Sequence, residues 1–260
     1  MIGGKCSDLS LRPHRGGTQR LQLLPSADLL GLVMALRDGN AAAAVSVASL
    51  SETALLRIAQ RILRPPTVRK PLHPLLPPQC SMTELEVSNF REKALTTTIV
   101  ADWAQQQGLP ARHVVALEQA ADELLLNALY DAPRNADQTP RYSALSPSDR
   151  VLLEAQPGES ARLRFASDGM RIVLSVSDSI GHLRRKTVLD YLHRCATAQL
   201  RHQSPIEQKT SGAGVGLFLV AEAASELLFR LRPGRLTEVV FCQYLSRPRP
   251  LRVLLIDDQD

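Results

Sequence analysis

The sequence predicts an α+β sandwich, a mixed or antiparallel sheet covered on one face by helices. Three observations predict it. Two stretches with helical apolar spacing fill residues 90–132. Two pairs of strand-like runs are joined by turn signals, Asp168-Gly169 and Pro233-Gly234-Arg235. A glycine-rich loop followed by another helical run stands between those pairs.

The elements follow in chain order. Residues 1–20 are rich in Arg, Gly and Ser and predict a disordered basic tail. Residues 21–63 predict a helical extension: SADLLGLVMALRD has a Ser/Asp start signal, and AAAAVSVASLSETALLRIAQRIL continues with helix formers. Residues 64–79, RPPTVRKPLHPLLPPQ, predict a proline-rich linker, because repeated Pro blocks helices and sheet ladders. The main domain is expected over 80–245. It begins with a short strand in ELEVSN. FREKALTTTIVADWAQQQGL (90–109) is a helix with a Gly stop, and Pro110 opens a second helix that Pro133 ends. Residues 134–150 read as a loop and VLLEA (151–155) as extended. RLRFASDGMRIVLSVSD (162–178) is a hairpin, LDYLHRCATAQL (189–200) a helix, and 203–211 a mobile polar stretch. VGLFLVAEAASELLF (215–229) is read as a helix, and the last hairpin closes the domain. The tail, 246–260, contains LRVLLIDDQD. Asp257-Asp258 after an apolar run is similar to the first strand of a response-regulator receiver domain. A remnant, a truncation and a plain apolar strand with an acidic end all fit it.

Composition narrows the function. Apolar residues make up 44% of the chain, ordinary for a globular protein. No apolar run is long enough to span a bilayer, and the start lacks the apolar core of a signal peptide, so a cytoplasmic location is expected. Cys6, Cys80, Cys195 and Cys242 form no CxxC pair, which predicts thiols rather than disulfides or a zinc site. The net charge of +5 is uneven: residues 1–79 hold ten Lys/Arg and four Asp/Glu, and the remainder carries −1. Aromatics are only 4%, and no recognition module is visible, so nucleic acid is not the expected partner.

The loop TSGAGVGLFLV (210–220) holds Gly212, Gly214 and Gly216 ahead of an apolar run. No Gly-Lys-Ser/Thr occurs, which closes the P-loop reading. The preceding IEQKTS is too polar for a buried strand and the spacing is GxGxG, which closes the dinucleotide reading. Glycines still let backbone N–H groups turn toward an anion, and a helix start favours negative charge. Upstream, Glu123 and Asn127 are four residues apart on a helix, and so on one face. Ala120, Leu124, Leu125 and Ala128 around them read as core. A carboxylate and an amide on a mostly apolar helix need partners. A nucleotide with Mg²⁺ supplies them: an amide oxygen ligates the metal, and a carboxylate takes a proton. An exposed polar pair is the alternative.

Together these segments resemble the GHKL (Bergerat-fold, histidine-kinase-like) ATPase superfamily, and within it the anti-sigma-factor serine/threonine kinases. The resemblance covers about residues 80–245. The family's N-box is similar to EQAADELLLNALYDAP, with Glu123 and Asn127 on its key positions. Its last glycine box is similar to SGAGVGLFLV, and its Gly-x-Leu-Thr-Glu-Val pattern to GRLTEV, which puts Thr237 on an adenine-holding position. Its first glycine box is similar to VLSVSDSIGHL. Asp178 then stands where the family's carboxylate accepts from the adenine amino group. Where the family has Asp-x-Gly-x-Gly, this chain has Ile180 and His182 at the glycine positions and Gly181 between them. His182 is expected at a pocket wall or the surface. The family's phosphate lid would span roughly 183–211, with Arg184, Arg185, Lys186 and Lys209 as its bases.

The resemblance implies ATP or ADP with Mg²⁺ as ligands. Glu123 would be the catalytic base. Asn127, Asp178, Gly181, Lys209, Gly212, Gly214, Gly216, Leu217 and Thr237 would bind the nucleotide, with Asn127 also on the metal. The activity implied is a serine/threonine protein kinase controlling a sigma factor, an anti-sigma antagonist or a response regulator. A homodimer is an expectation of the resemblance alone. The altered first glycine box motivates a second reading, a non-catalytic nucleotide-dependent binding switch. A third is the ATPase part of a two-component system acting in trans, since none of the six histidines sits in a His-Glu-containing helix.

Overall fold

The structure is a computed structural model that describes residues 7–11, 19–38, 41–48, 55–56, 58–60, 76–77, 80–142, 145–150, 155–201, 216–245 and 251–258. It corrects the reading of the N-terminal segment. Ser7–Leu11 (β1) and Gln19–Leu24 (β2) are antiparallel strands, not a disordered tail. Leu29–Asp38 (α1) is the expected helix, with Leu29, Leu32, Val33 and Leu36 on its buried side. Ala43–Ser46 (β3), expected as helix, is a strand pairing in parallel with β2. Alanine's helix propensity is a weak prior, and burial inside a sheet overrides it. All four residues of β3 are buried. Of the proline-rich linker, only Leu76 and Pro77 fall within the described residues.

Met82–Val87 (β4) leads into two helices, Phe90–Gln106 (α2) and Ala111–Leu126 (α3). The start of α2 is fixed by a reciprocal cap. The Asn89 side chain accepts from the Glu92 N–H at 2.8 Å, and Glu92 accepts from the Ser88 N–H at 2.7 Å. Ala161–Ser167 (β5) and Arg171–Asp178 (β6) form the first expected hairpin. Arg185–Leu200 (α4) starts earlier than its periodicity suggested, and most of the expected lid's first half is this helix. Gly216–Ala223 (α5) ends six residues before the expected 229, because Glu226–Arg232 (β7) pairs with Leu236–Tyr244 (β8). Leu227, Leu228 and Phe229 are all buried, so β7 lacks the alternation that marks a half-exposed strand. Residues 151–154 of the expected VLLEA strand and residues 203–211 lie outside the described residues.

The C-terminal segment is not a tail. Val253–Asp257 (β9) lies inside the sheet, antiparallel to β3 and parallel to β7. Among the described residues the sheet therefore has nine strands in the order β1-β2-β3-β9-β7-β8-β6-β5-β4. The part from β4 through β8 is antiparallel throughout, and β9 joins it to the N-terminal strands. The α+β sandwich is as the sequence predicts. Its main core lies between the sheet and the helices, around Leu117, Leu125, Phe165, Leu174, Phe229 and Phe241. The opposite face is also covered in part: Ile58 and Leu76 pack with Val173, Val240, Val253 and Leu255.

Candidate functional site

The site starts on α3. Ala120, Leu124, Leu125 and Ala128 are buried as expected, which leaves Glu123 and Asn127 on the face beside the core. At Asn127 the helix widens into a π-helical turn, Asn127–Asp131. Such turns hold an extra residue and are frequent at functional sites. Here the widening brings Asn127, Tyr130 and Asp131 all to the wall of one cavity. Burial, with help from Asp122 and Asp131, raises the Glu123 pKa above the usual carboxylate value; Lys93 opposes them. Lys93, buried on α2, is ion-paired with Asp122.

Gly216 begins α5 directly against Glu123. A Cβ at Gly216 would meet Glu123 Oε2 at 1.8 Å and Cδ at 2.5 Å. A side chain at position 216 would have to push that carboxylate away from the helix start, where unpaired N–H groups favour negative charge.

The other end of the cavity is set by sheet register. Asp178, last in β6, pairs with Thr237 in β8. Alternation turns both toward the helices, while Glu238 faces the other way and pairs with Arg230 and Arg164. The N–H groups of Ile180 and Gly181 each donate to Asp178 Oδ1 at 2.9 Å. Burial raises the Asp178 pKa to about 6, opposed by those two N–H groups and by the Thr237 hydroxyl. The hydroxyl acts there through proximity rather than a well-formed bond, since Thr237 Oγ1 is buried and has no hydrogen-bond partner among the described residues. Gly181 serves this end indirectly. Its φ is +61°, and a Cβ there would meet Arg232 O at 2.3 Å and Arg235 N at 2.5 Å. It packs the loop onto the β7–β8 turn and does not line the cavity.

Both ends open into one cavity of about 530 Å³, a size usual for small-molecule sites. Of the expected residues, Glu123, Asn127, Asp178, Gly216, Leu217 and Thr237 line it, and so does His182. Lys209, Gly212 and Gly214 lie outside the described residues. The expected lid bases have other work. Arg184 Nη1 donates to the carbonyls of Gly181 at 2.6 Å and His182 at 2.9 Å. Arg185 donates to Ala41 O at 2.7 Å and Leu36 O at 3.1 Å, and Lys186 pairs with Asp190. Sequence reasoning missed Arg134, Tyr191 and Arg194, which also line the cavity. No spacing rule marks them: the face of α4 that carries Tyr191 and Arg194 to the cavity is chosen by packing, and Arg134 lies in the loop after the π-helical turn. Burial, then Arg134 and Arg184, lower the His182 pKa, so this side chain is neutral at pH 7.

The residues fit a purine nucleotide at the chemical level. A buried carboxylate and an unpartnered hydroxyl sit beside Val176 and Val239 at one end. A carboxylate, an amide and a glycine at a helix start sit at the other. Among the described residues, no three of His, Cys, Asp and Glu converge as a metal site. A metal ion at Asn127 would therefore need further oxygens from a bound ligand.

No family model matches the chain, and no curated protein matches it by sequence. One solved structure with some likeness is the crystal structure of the SiaB-SiaC complex from Pseudomonas aeruginosa. Identity is 13% and the TM-score 0.41, over 62% of this chain and 88% of that chain. A likeness at that level carries no argument. No helix among the described residues is long and apolar enough to cross a membrane.

Proposed function

We propose that this chain binds ATP and Mg²⁺ in the manner of GHKL ATPases and acts as a serine/threonine protein kinase on a regulatory protein partner. One observation carries the reading: Glu123, Asn127 and Gly216 share a single cavity with Asp178 and Thr237. These are the positions on which the family resemblance rests, and they come from four separate elements. Asp178 would accept from the adenine amino group, with Thr237 beside it. Asn127 would hold Mg²⁺. When bound, Mg²⁺–ATP supplies the phosphoryl group and offsets its charge. Glu123, with its pKa raised above the usual carboxylate value by burial, would take the proton from the acceptor hydroxyl. Phosphoryl transfer asks mainly for positioning and charge neutralisation.

Two measurements test this. Calorimetric titration with ATP·Mg²⁺ and ADP should give binding to the wild type and much weaker binding to Asp178→Asn; a wild type that binds neither nucleotide overturns the reading. Incubation with labelled ATP and candidate partner domains should show transfer that Glu123→Ala abolishes while ATP binding persists. Unchanged transfer in that variant removes Glu123 as the base.

A further inference from the structure

We propose that the imidazole of His182 contacts the nucleobase, beside Asp178, and sets how tightly that end of the cavity holds a purine. This rests on the nucleotide reading above. It concerns a position where the chain departs from the resemblance, which calls for glycine at 182 and so for no side chain.

The loop after β6 fixes the placement. Asp178 Oδ1 accepts from the N–H groups of Ile180 and Gly181, both at 2.9 Å, so the chain folds back over its own carboxylate. Gly181 O accepts from the Gly234 N–H at 3.0 Å, which ties the loop to the β7–β8 turn. Arg184 Nη1 donates to the carbonyls of Gly181 at 2.6 Å, His182 at 2.9 Å and Leu183 at 3.3 Å. On the other side of the loop the Ser179 hydroxyl donates to the Gly158 carbonyl. Residue 182 is thus held through both neighbours and through its own carbonyl. The loop then sorts its side chains. Asp178, His182 and Leu183 line the cavity, and Ser179, Ile180 and Gly181 do not. Of the two residues at the expected glycine positions, only His182 reaches it.

The chemistry follows from what surrounds the imidazole. Among the described residues no group hydrogen-bonds it. Burial, then Arg134 and Arg184, keep it neutral at pH 7. A neutral imidazole offers one N–H donor, one acceptor nitrogen and a flat face. An ionised carboxylate only accepts, so Asp178 can meet the amino group of adenine and not a ring nitrogen. Adenine carries such nitrogens next to its amino group. The other cavity-lining side chain of this loop, Leu183, is apolar. His182 is therefore the loop side chain with an N–H to donate to the base. It is half-buried at the cavity wall, so replacing it leaves the core packing in place.

The test is calorimetric titration of the full chain at pH 8, as wild type, His182→Ala and His182→Gly. The probes are ATP·Mg²⁺, adenosine and inorganic tripolyphosphate. Both variants are expected to bind ATP and adenosine about fivefold or more weakly, and to bind tripolyphosphate as the wild type does. In proton NMR the imidazole resonance that His182→Ala lacks should shift when adenosine is added to the wild type and stay in place with tripolyphosphate. Equal ATP affinity in wild type and His182→Ala overturns the assignment while the nucleotide reading stands. So does a loss shared equally by ATP and tripolyphosphate, which would put His182 at the phosphates. Tighter ATP binding by either variant overturns it as well, because the side chain would then obstruct the base. A wild type that binds neither ATP nor adenosine overturns both readings.

Discussion

Asp178 is in tension with its surroundings. Its carboxyl is held at about 6, against an ordinary value of 3.8, because burial outweighs two backbone donors. The native state thus binds this proton more tightly than the unfolded chain does. Its contribution to stability is fully present below about pH 4 and is lost as pH rises through about 6, a loss on the order of 3 kcal/mol. Asp178→Asn should therefore raise stability at pH 7 in chemical denaturation and flatten its dependence between pH 4 and 7. Nucleotide binding runs the other way. The ionised carboxylate is the stronger acceptor for an adenine amino group, so ATP affinity in the wild type should fall as pH drops below about 6. Equal ATP affinity at pH 5 and pH 8 would remove Asp178 from the adenine contact. Gly216 gives the second prediction at this scale. In Gly216→Ala the new methyl must displace the Glu123 carboxylate, which lies 1.8 Å from its position. Phosphoryl transfer should fall about 100-fold, with the melting temperature little changed. The double variant with Glu123→Ala should be no worse than Glu123→Ala alone, because both changes act on one carboxylate.

Among the elements, α4 links the cavity to the outer parts of the sheet. Its inner face carries Tyr191 and Arg194 to the cavity. Its first residue, Arg185, donates to Leu36 O beyond the middle of α1, to Ala41 O before β3, and to Ile256 O in β9 at 3.4 Å. Arg37 of α1 also reaches Asp190 at 3.3 Å. Arg185→Met keeps the stem and removes the donors, leaving carbonyls from three segments without that partner. Thermal or denaturant unfolding should show a loss of about 2–3 kcal/mol. An unchanged melting temperature would mean that water replaces the guanidinium without penalty. The elements also separate what local sequence reveals from what it hides. Glu123 and Asn127 were legible because helical spacing is local: four residues apart means one face. The π-helical turn that follows was not, since the ordinary helical period fits NALYD equally well. Arg194 was hidden for a related reason. A helix with polar residues on several sides does not declare which side meets a cavity.

At the scale of the whole molecule, β9 decides the architecture. It stands between β3 and β7, with Val253, Leu254 and Ile256 buried. Removing residues 251–260 would leave two apolar strand edges unpaired in mid-sheet, an aggregation hazard. The truncated chain should lose cooperative unfolding and soluble yield. A truncation that melts like the full chain would show that β9 is peripheral. The α+β class, the two helices after residue 80, both hairpins and the Glu123–Asn127 pair follow from the sequence, because spacing, caps and turns act within a few residues. The nine-strand order, β3 as a strand in an alanine-rich run, the insertion of β9, and the meeting of Asp178 and Thr237 with Glu123 and Gly216 in one cavity were decided only in three dimensions. Strand pairing and helix-face choice join residues far apart in the chain, and their energies come from burial against partners that no local window contains.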